Sequence, residues 1–104
     1  MSDRAKMPEE CCSMEDVRAG VDETDRALLA LLERRYGYMR AAARIKATRD
    51  AVRDEARKAA VIEAMRTGAD KAGLPSADVA AIWNDLVESS ISYELVEWDR
   101  LRQK

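Results

Sequence analysis

The sequence predicts an all-α fold of three helices, one of them too long for the globule its own chain can form. Three observations carry this. Of 104 residues only 4 are Gly and 2 are Pro, and Phe is absent, so helix breakers and the aromatic runs that mark strands are both scarce. Apolar residues recur at alternating spacings of four and three, the period of one helix face. The longest such run meets no proline from Ser13 to Lys46. The length fits one domain.

Residues 1–12 are polar and read as a flexible N-terminal tail, with residues 13–104 as the single domain. Ser13 followed by Asp16 fits a capping box, with Glu15 and Asp16 favourably placed in the first turn. From there Val17, Val21, Thr24, Leu28, Leu31, Arg35, Tyr38, Ala42 and Ile45 form one stripe, which places a helix at about 14–47. The stretch from Ala47 to Arg53 is polar and reads as a connecting loop. A second helix at about 54–72 begins with Asp54 as N-cap and stops at Gly73. Pro75 and Ser76 introduce a third, at about 77–102, whose inward stripe reads Val79, Trp83, Leu86, Ser90, Glu94, Trp98 and Leu101.

The first helix would be ~50 Å long at 1.5 Å per residue. A compact domain of this size has a radius of gyration of about 13 Å and is roughly 34 Å across. Its apolar stripe nevertheless runs to both ends. A second copy of the chain packed along it is the simplest cover, so a helical homodimer is expected. A coiled-coil scaffold satisfies the same logic.

Composition excludes several function classes. The net charge is -2 with no basic block, which gives nucleic acid nothing to hold. No apolar run approaches a membrane span, and the N-terminus lacks the apolar core of a signal peptide, so a cytoplasmic protein is expected. Histidine is absent, which removes the commonest general base and metal ligand. The 2 cysteines, Cys11 and Cys12, are adjacent, a poor disulfide and no zinc site. Neither a phosphate-cradling glycine loop nor a nucleophile elbow is present. No metal and no cofactor is expected, and any chemistry falls to Arg, Lys, carboxylates and hydroxyls.

The informative positions are polar ones in apolar stripes. Arg35 lies between Leu31 and Tyr38, Lys46 follows about three turns later on nearly the same side, and Glu94 sits one turn after Ser90. A buried charge must be paired, stand at an edge, or face a ligand. Singly, each has a structural explanation. Arg35 can snorkel or pair with Glu94, Lys46 complements a helix C-terminus, and Arg18 and Arg57 are ordinary surface residues. Together, several cations and one carboxylate facing a helical interior suit a small anionic ligand.

The segment Val17-Arg18, Asp22, Asp25, then Ala27 through Arg35, resembles the opening of AroQ-class chorismate mutases. The resemblance continues through Lys46, Val52-Arg53-Asp54 and Arg57 to Ser90 and Glu94. Within that class, Pro8-Glu9-Glu10-Cys11 and the stretch from Tyr38 to Lys46 look most like the isochorismate pyruvate-lyase branch of salicylate synthesis, whose enzymes also have chorismate mutase activity. The resemblance implies an intertwined helical homodimer with two equivalent sites, each borrowing an arginine, Arg18, from the other chain. Geometry agrees, because Arg18 and Arg35 are about 26 Å apart along one helix and roughly 100° apart around it.

The resemblance also implies the division of labour. Arg35 and the second chain's Arg18 grip the substrate carboxylates with their planar forks, and Arg57 helps from the start of the second helix. Lys46 donates to the ether oxygen and a nearby carboxylate. Asp54 hydrogen-bonds the ring hydroxyl and Ser90 contacts a carboxylate. Glu94 stands where relatives often carry glutamine. It must be protonated to donate to the ether oxygen, a state that burial and the substrate's negative charge favour. Lys58 stands where many mutases have glutamate. The expected activity is rearrangement of chorismate to prephenate. The alternatives are isochorismate pyruvate-lyase activity, giving salicylate and pyruvate, and a non-catalytic helical dimer with a regulatory or binding role.

Overall fold

A computed structural model of the chain describes residues 4–103. Residues 1–3 of the expected tail and residue 104 lie outside the described residues. Among these there are three α-helices and no strand: α1, Met14–Ile45; α2, Glu55–Lys71; and α3, Ser76–Arg102. Two short 3-10 turns, Pro8–Glu10 and Arg49–Val52, complete the order. No helix is long and apolar enough to cross a membrane among the described residues. The chain divides into two compact units, Met1–Gly37 and Tyr38–Lys104.

In the first unit, α1 starts at Ser13, whose hydroxyl accepts from the Asp16 amide at 3.1 Å. The Asp16 carboxylate reaches back to accept from the Cys12 amide at 3.1 Å and pairs with Lys6 at 3.3 Å. The Cys12 bond above all holds this carboxyl below the usual range. The residues read as a flexible tail carry further bonds, Met7 N to Glu10 Oε1 at 3.0 Å and Ala5 N to Glu23 Oε2 at 2.9 Å. Between residues 4–11 and 17–25 lies a cavity of about 740 Å³ with Met7, Pro8, Val17 and Val21 in its wall. None of the residues singled out for catalysis or binding lines it.

The expected stripe of α1 is uncovered. Leu28 is 52% exposed, Leu31 59% and Ile45 78%, and Val17, Val21 and Tyr38 are also exposed.

In the second unit, α2 begins at Asp54, whose side chain accepts from the Arg57 amide at 2.9 Å. It ends where Gly73 takes the left-handed φ of 73°, which lets the Leu74 amide donate to the Ala69 carbonyl at 2.8 Å. That reversal starts α3 and packs it on α2. The core is formed by Val52, Val87 and Ile91, with Val61, Leu95 and Trp98 packed against it. Val52 comes from the stretch read as a polar loop. The Arg49–Val52 turn places its one large apolar side chain in the core. On α3, Ser90 and Glu94 of the expected stripe are buried and Trp98 packs against the core, while Leu101 is 40% exposed. The buried face also takes in Val87 and Ile91, which the stripe left out, on the helix against which the Arg49–Val52 turn packs.

Candidate functional site

Lys46 is the first residue past α1, its amide still donating to the Ala42 carbonyl at 2.9 Å. Its ammonium lies 2.7 Å from Glu94 Oε2 and 3.5 Å from the Val52 carbonyl. Glu94 is only 3% exposed, so its carboxylate is withdrawn from water and requires a charge partner. Lys46 supplies that charge, at a distance typical of a charge-assisted contact.

Ser90, one turn earlier on the same buried strip, is 3% exposed, and its hydroxyl donates to the Leu86 carbonyl at 2.7 Å. To donate to a ligand it must leave that bond. Asp54 has one carboxylate oxygen in the N-cap bond of α2. Arg57, on the first turn of α2, is exposed. Lys46 and Glu94 are thus brought into direct contact by the end of α1 and the middle of α3, while Asp54 and Arg57 meet through the cap bond.

Arg18 and Arg35 belong to the first unit. Both ride on α1, about 26 Å apart by its rise per residue. Arg18 is exposed and Arg35 half-buried. The Arg18 guanidinium has no ion pair or hydrogen bond within the described part of its own chain.

Sequence reasoning missed a charged cluster beside the site. Arg53 holds Glu88 in a two-point fork, at 3.0 and 2.8 Å, and also reaches Glu55 at 2.8 Å. Lys58 takes the same carboxylate at 2.7 Å. Hydrogen bonds from Arg53, then from Lys58, pull the Glu88 carboxyl down to about 2. The cluster balances Arg53 and Lys58 with Glu55 and Glu88, which gives the unusual Lys58 a structural partner. Glu88 itself left no sequence signal, because it is an acidic residue on a half-exposed helix position. Among the described residues, no three His, Cys, Asp or Glu side chains come together as a metal site requires.

The arrangement therefore offers an ammonium and a buried carboxyl in contact, a hydroxyl one turn away and an arginine at a helix start. Such a set can orient an anionic ligand and stabilise charge. Comparison with known proteins points the same way. The family model described as chorismate mutase type II matches residues 17–95. The chain is also 29% identical over 97 residues to isochorismate pyruvate lyase of Pseudomonas aeruginosa, an alignment spanning 93% of this chain and 96% of that protein.

Proposed function

The chain belongs to the chorismate mutase type II family, and from that premise we propose that it rearranges chorismate to prephenate. Residues 13–104 form the catalytic domain of a cytoplasmic homodimer. The observation that carries the reading is the contact between Lys46 and the buried Glu94, 2.7 Å apart.

In this rearrangement the ether carbon–oxygen bond breaks as a new carbon–carbon bond forms in one cyclic transition state. No proton need be abstracted and no covalent adduct made. The protein's tasks are to hold the folded conformer and to meet the negative charge that develops on the ether oxygen. Lys46 donates to that oxygen, and Glu94, 2.7 Å from Lys46, acts beside it as the second catalytic residue. Arg35 and the second chain's Arg18 grip the two carboxylates, aided by Arg57. Asp54 takes the ring hydroxyl and Ser90 a carboxylate.

Two features support the assembly. The stripe of α1 that includes Leu28, Leu31 and Ile45 is uncovered in the single chain, and a second α1 would cover it. Arg18 and Arg35 are too far apart along one helix to hold the same small molecule, so intertwined copies bring them together.

A second reading, isochorismate pyruvate-lyase activity releasing pyruvate to give salicylate, is favoured by the Pseudomonas relative, whose alignment spans nearly the whole of both chains. The same cations would serve it. The deciding experiment sets loss of chorismate absorbance beside salicylate fluorescence from isochorismate on one purified preparation. Chorismate turnover with no salicylate supports the mutase, and the reverse result replaces it by the lyase. Turnover of neither substrate over a wide pH range would leave a helical dimer with a binding or regulatory role.

A further inference from the structure

Side chains in the last turns of α3 converge on the residue that ends α1. Trp98 Nε1 donates to the Lys46 carbonyl at 3.1 Å. Arg102 Nη2 donates to the same carbonyl at 2.9 Å, and its Nη1 donates to the Ala43 carbonyl at 2.9 Å. The Arg102 guanidinium stacks on the Trp98 ring, 4.1 Å from its centroid, so the two donors brace each other. Between them in sequence, Asp99 grips Arg49 through both carboxylate oxygens, at 2.9 and 3.2 Å.

A helix end leaves carbonyls without partners, and cations are favoured there. An ordinary solution is water or a glycine cap. Here one carbonyl accepts from two planar donors of another helix, and that carbonyl belongs to Lys46. The lysine follows the last helical residue, where backbone torsions are otherwise loose. With its peptide plane held by Trp98 and Arg102, the direction of its Cα–Cβ bond is set. Its ammonium is then held at the far end by Glu94 and the Val52 carbonyl. The residue is restrained at both ends of a flexible stem.

The geometry points to Trp98 and Arg102 as positioning residues that fix the backbone of Lys46 and so aim its ammonium into the site it shares with Glu94. This rests on the proposed catalytic role of Lys46. Neither residue touches substrate, so their loss acts on the chemical step through Lys46 and leaves carboxylate binding in place.

The experiment measures kcat and KM on chorismate and isochorismate for Trp98→Phe, which removes only the indole donor, and for Arg102→Met and Arg102→Lys. Arg100→Ala, on the same turn but paired with Glu97, serves as control. Misplacing a reacting group by about 1 Å costs on the order of 100-fold. The expected result is therefore a fall in kcat of about 10- to 100-fold for Trp98→Phe and Arg102→Met, with KM changed far less. Arg102→Lys should recover part of the rate and Arg100→Ala should match wild type. In a Lys46→Ala background, followed at high enzyme concentration, adding Arg102→Met should cost nothing more, because coupled residues are non-additive. The same proportional loss in both backgrounds means a general structural role and overturns the inference. Unchanged kcat in Trp98→Phe and Arg102→Met, with full dependence on Lys46, overturns the positioning role alone. Near-normal turnover in Lys46→Ala removes the catalytic assignment on which it stands.

Discussion

Lys46, just beyond α1, and Glu94, buried in α3, meet in an ion pair 2.7 Å apart. An ammonium carries three donors, so a ligand oxygen beside Lys46 could accept from it while the contact with Glu94 stays in place. Replacing Lys46 by Ala should raise the barrier by about 2.7–4 kcal/mol, the usual cost of losing one donor to developing charge. A steady-state assay with a check of oligomeric state distinguishes lost chemistry from lost assembly.

Glu94 contacts Lys46 at 2.7 Å and is proposed to act beside the ether oxygen. Glu94→Ala should therefore lower kcat by about 100-fold or more, the scale of one lost group at developing charge, while Glu94→Gln, which keeps a polar partner for Lys46 and can itself donate, should lose far less. Steady-state kcat for both variants is the measurement, and a Glu94→Ala rate equal to wild type would take Glu94 out of the proposed role.

Glu88 is held to about 2 by Arg53 and Lys58, against an ordinary value of 4.5. A carboxyl lowered by folding stabilises the folded state above its unfolded value, and that stabilisation is lost as pH falls through the folded one. The contribution should be complete above about pH 4.5 and gone below about pH 2. Glu88→Gln should lower the melting temperature near neutrality, and the difference from wild type should close across that window. The cluster is partly exposed, so added salt should also narrow the gap.

Subunit mixing tests the shared site. Arg18→Ala and Arg35→Ala chains should each be nearly inactive alone. If each site takes one arginine from either chain, a heterodimer carries one site with both defects and one intact. Random exchange should then restore about a quarter of wild-type turnover in a two-fold dimer. No recovery on mixing, with exchange demonstrated, would place both arginines in one chain's site.

Gly73 closes α2 with a φ of 73°, a conformation costing other residues roughly 1–2 kcal/mol. No neighbouring atom crowds the place where a Cβ would sit, so Gly73→Ala tests backbone strain alone. The expected effect is a fall in melting temperature of about 4–8 °C per kcal/mol for a domain of this size, with kcat unchanged.

Helix ends were legible because their signals are local: Ser13 with Asp16, Asp54, and Gly73 each act on backbone groups within a turn. Lys46 and Glu94 were legible as charges interrupting apolar stripes. What the pattern could not supply was partner choice across elements. Arg53, Lys58 and Glu88 look like ordinary surface residues until α2 lies on α3. Val52 is the one large apolar side chain in a short charged segment, and its burial depends on a turn set by tertiary packing. The buried face of α3 is wider than the stripe by Val87 and Ile91, which lie in the same core as Val52. Trp98 and Arg102 stand four apart, a spacing that puts a ring and a guanidinium on one face, yet nothing in that spacing names the Lys46 carbonyl as their acceptor.

The proposed homodimer would tie the fate of a helix that leaves Leu28, Leu31 and Ile45 in water to abundance. Any surface that covers them only in the folded form shifts the unfolding midpoint upward with concentration, by mass action. Dilution would then uncover that face again, and a newly made chain would stay soluble by meeting a second copy early.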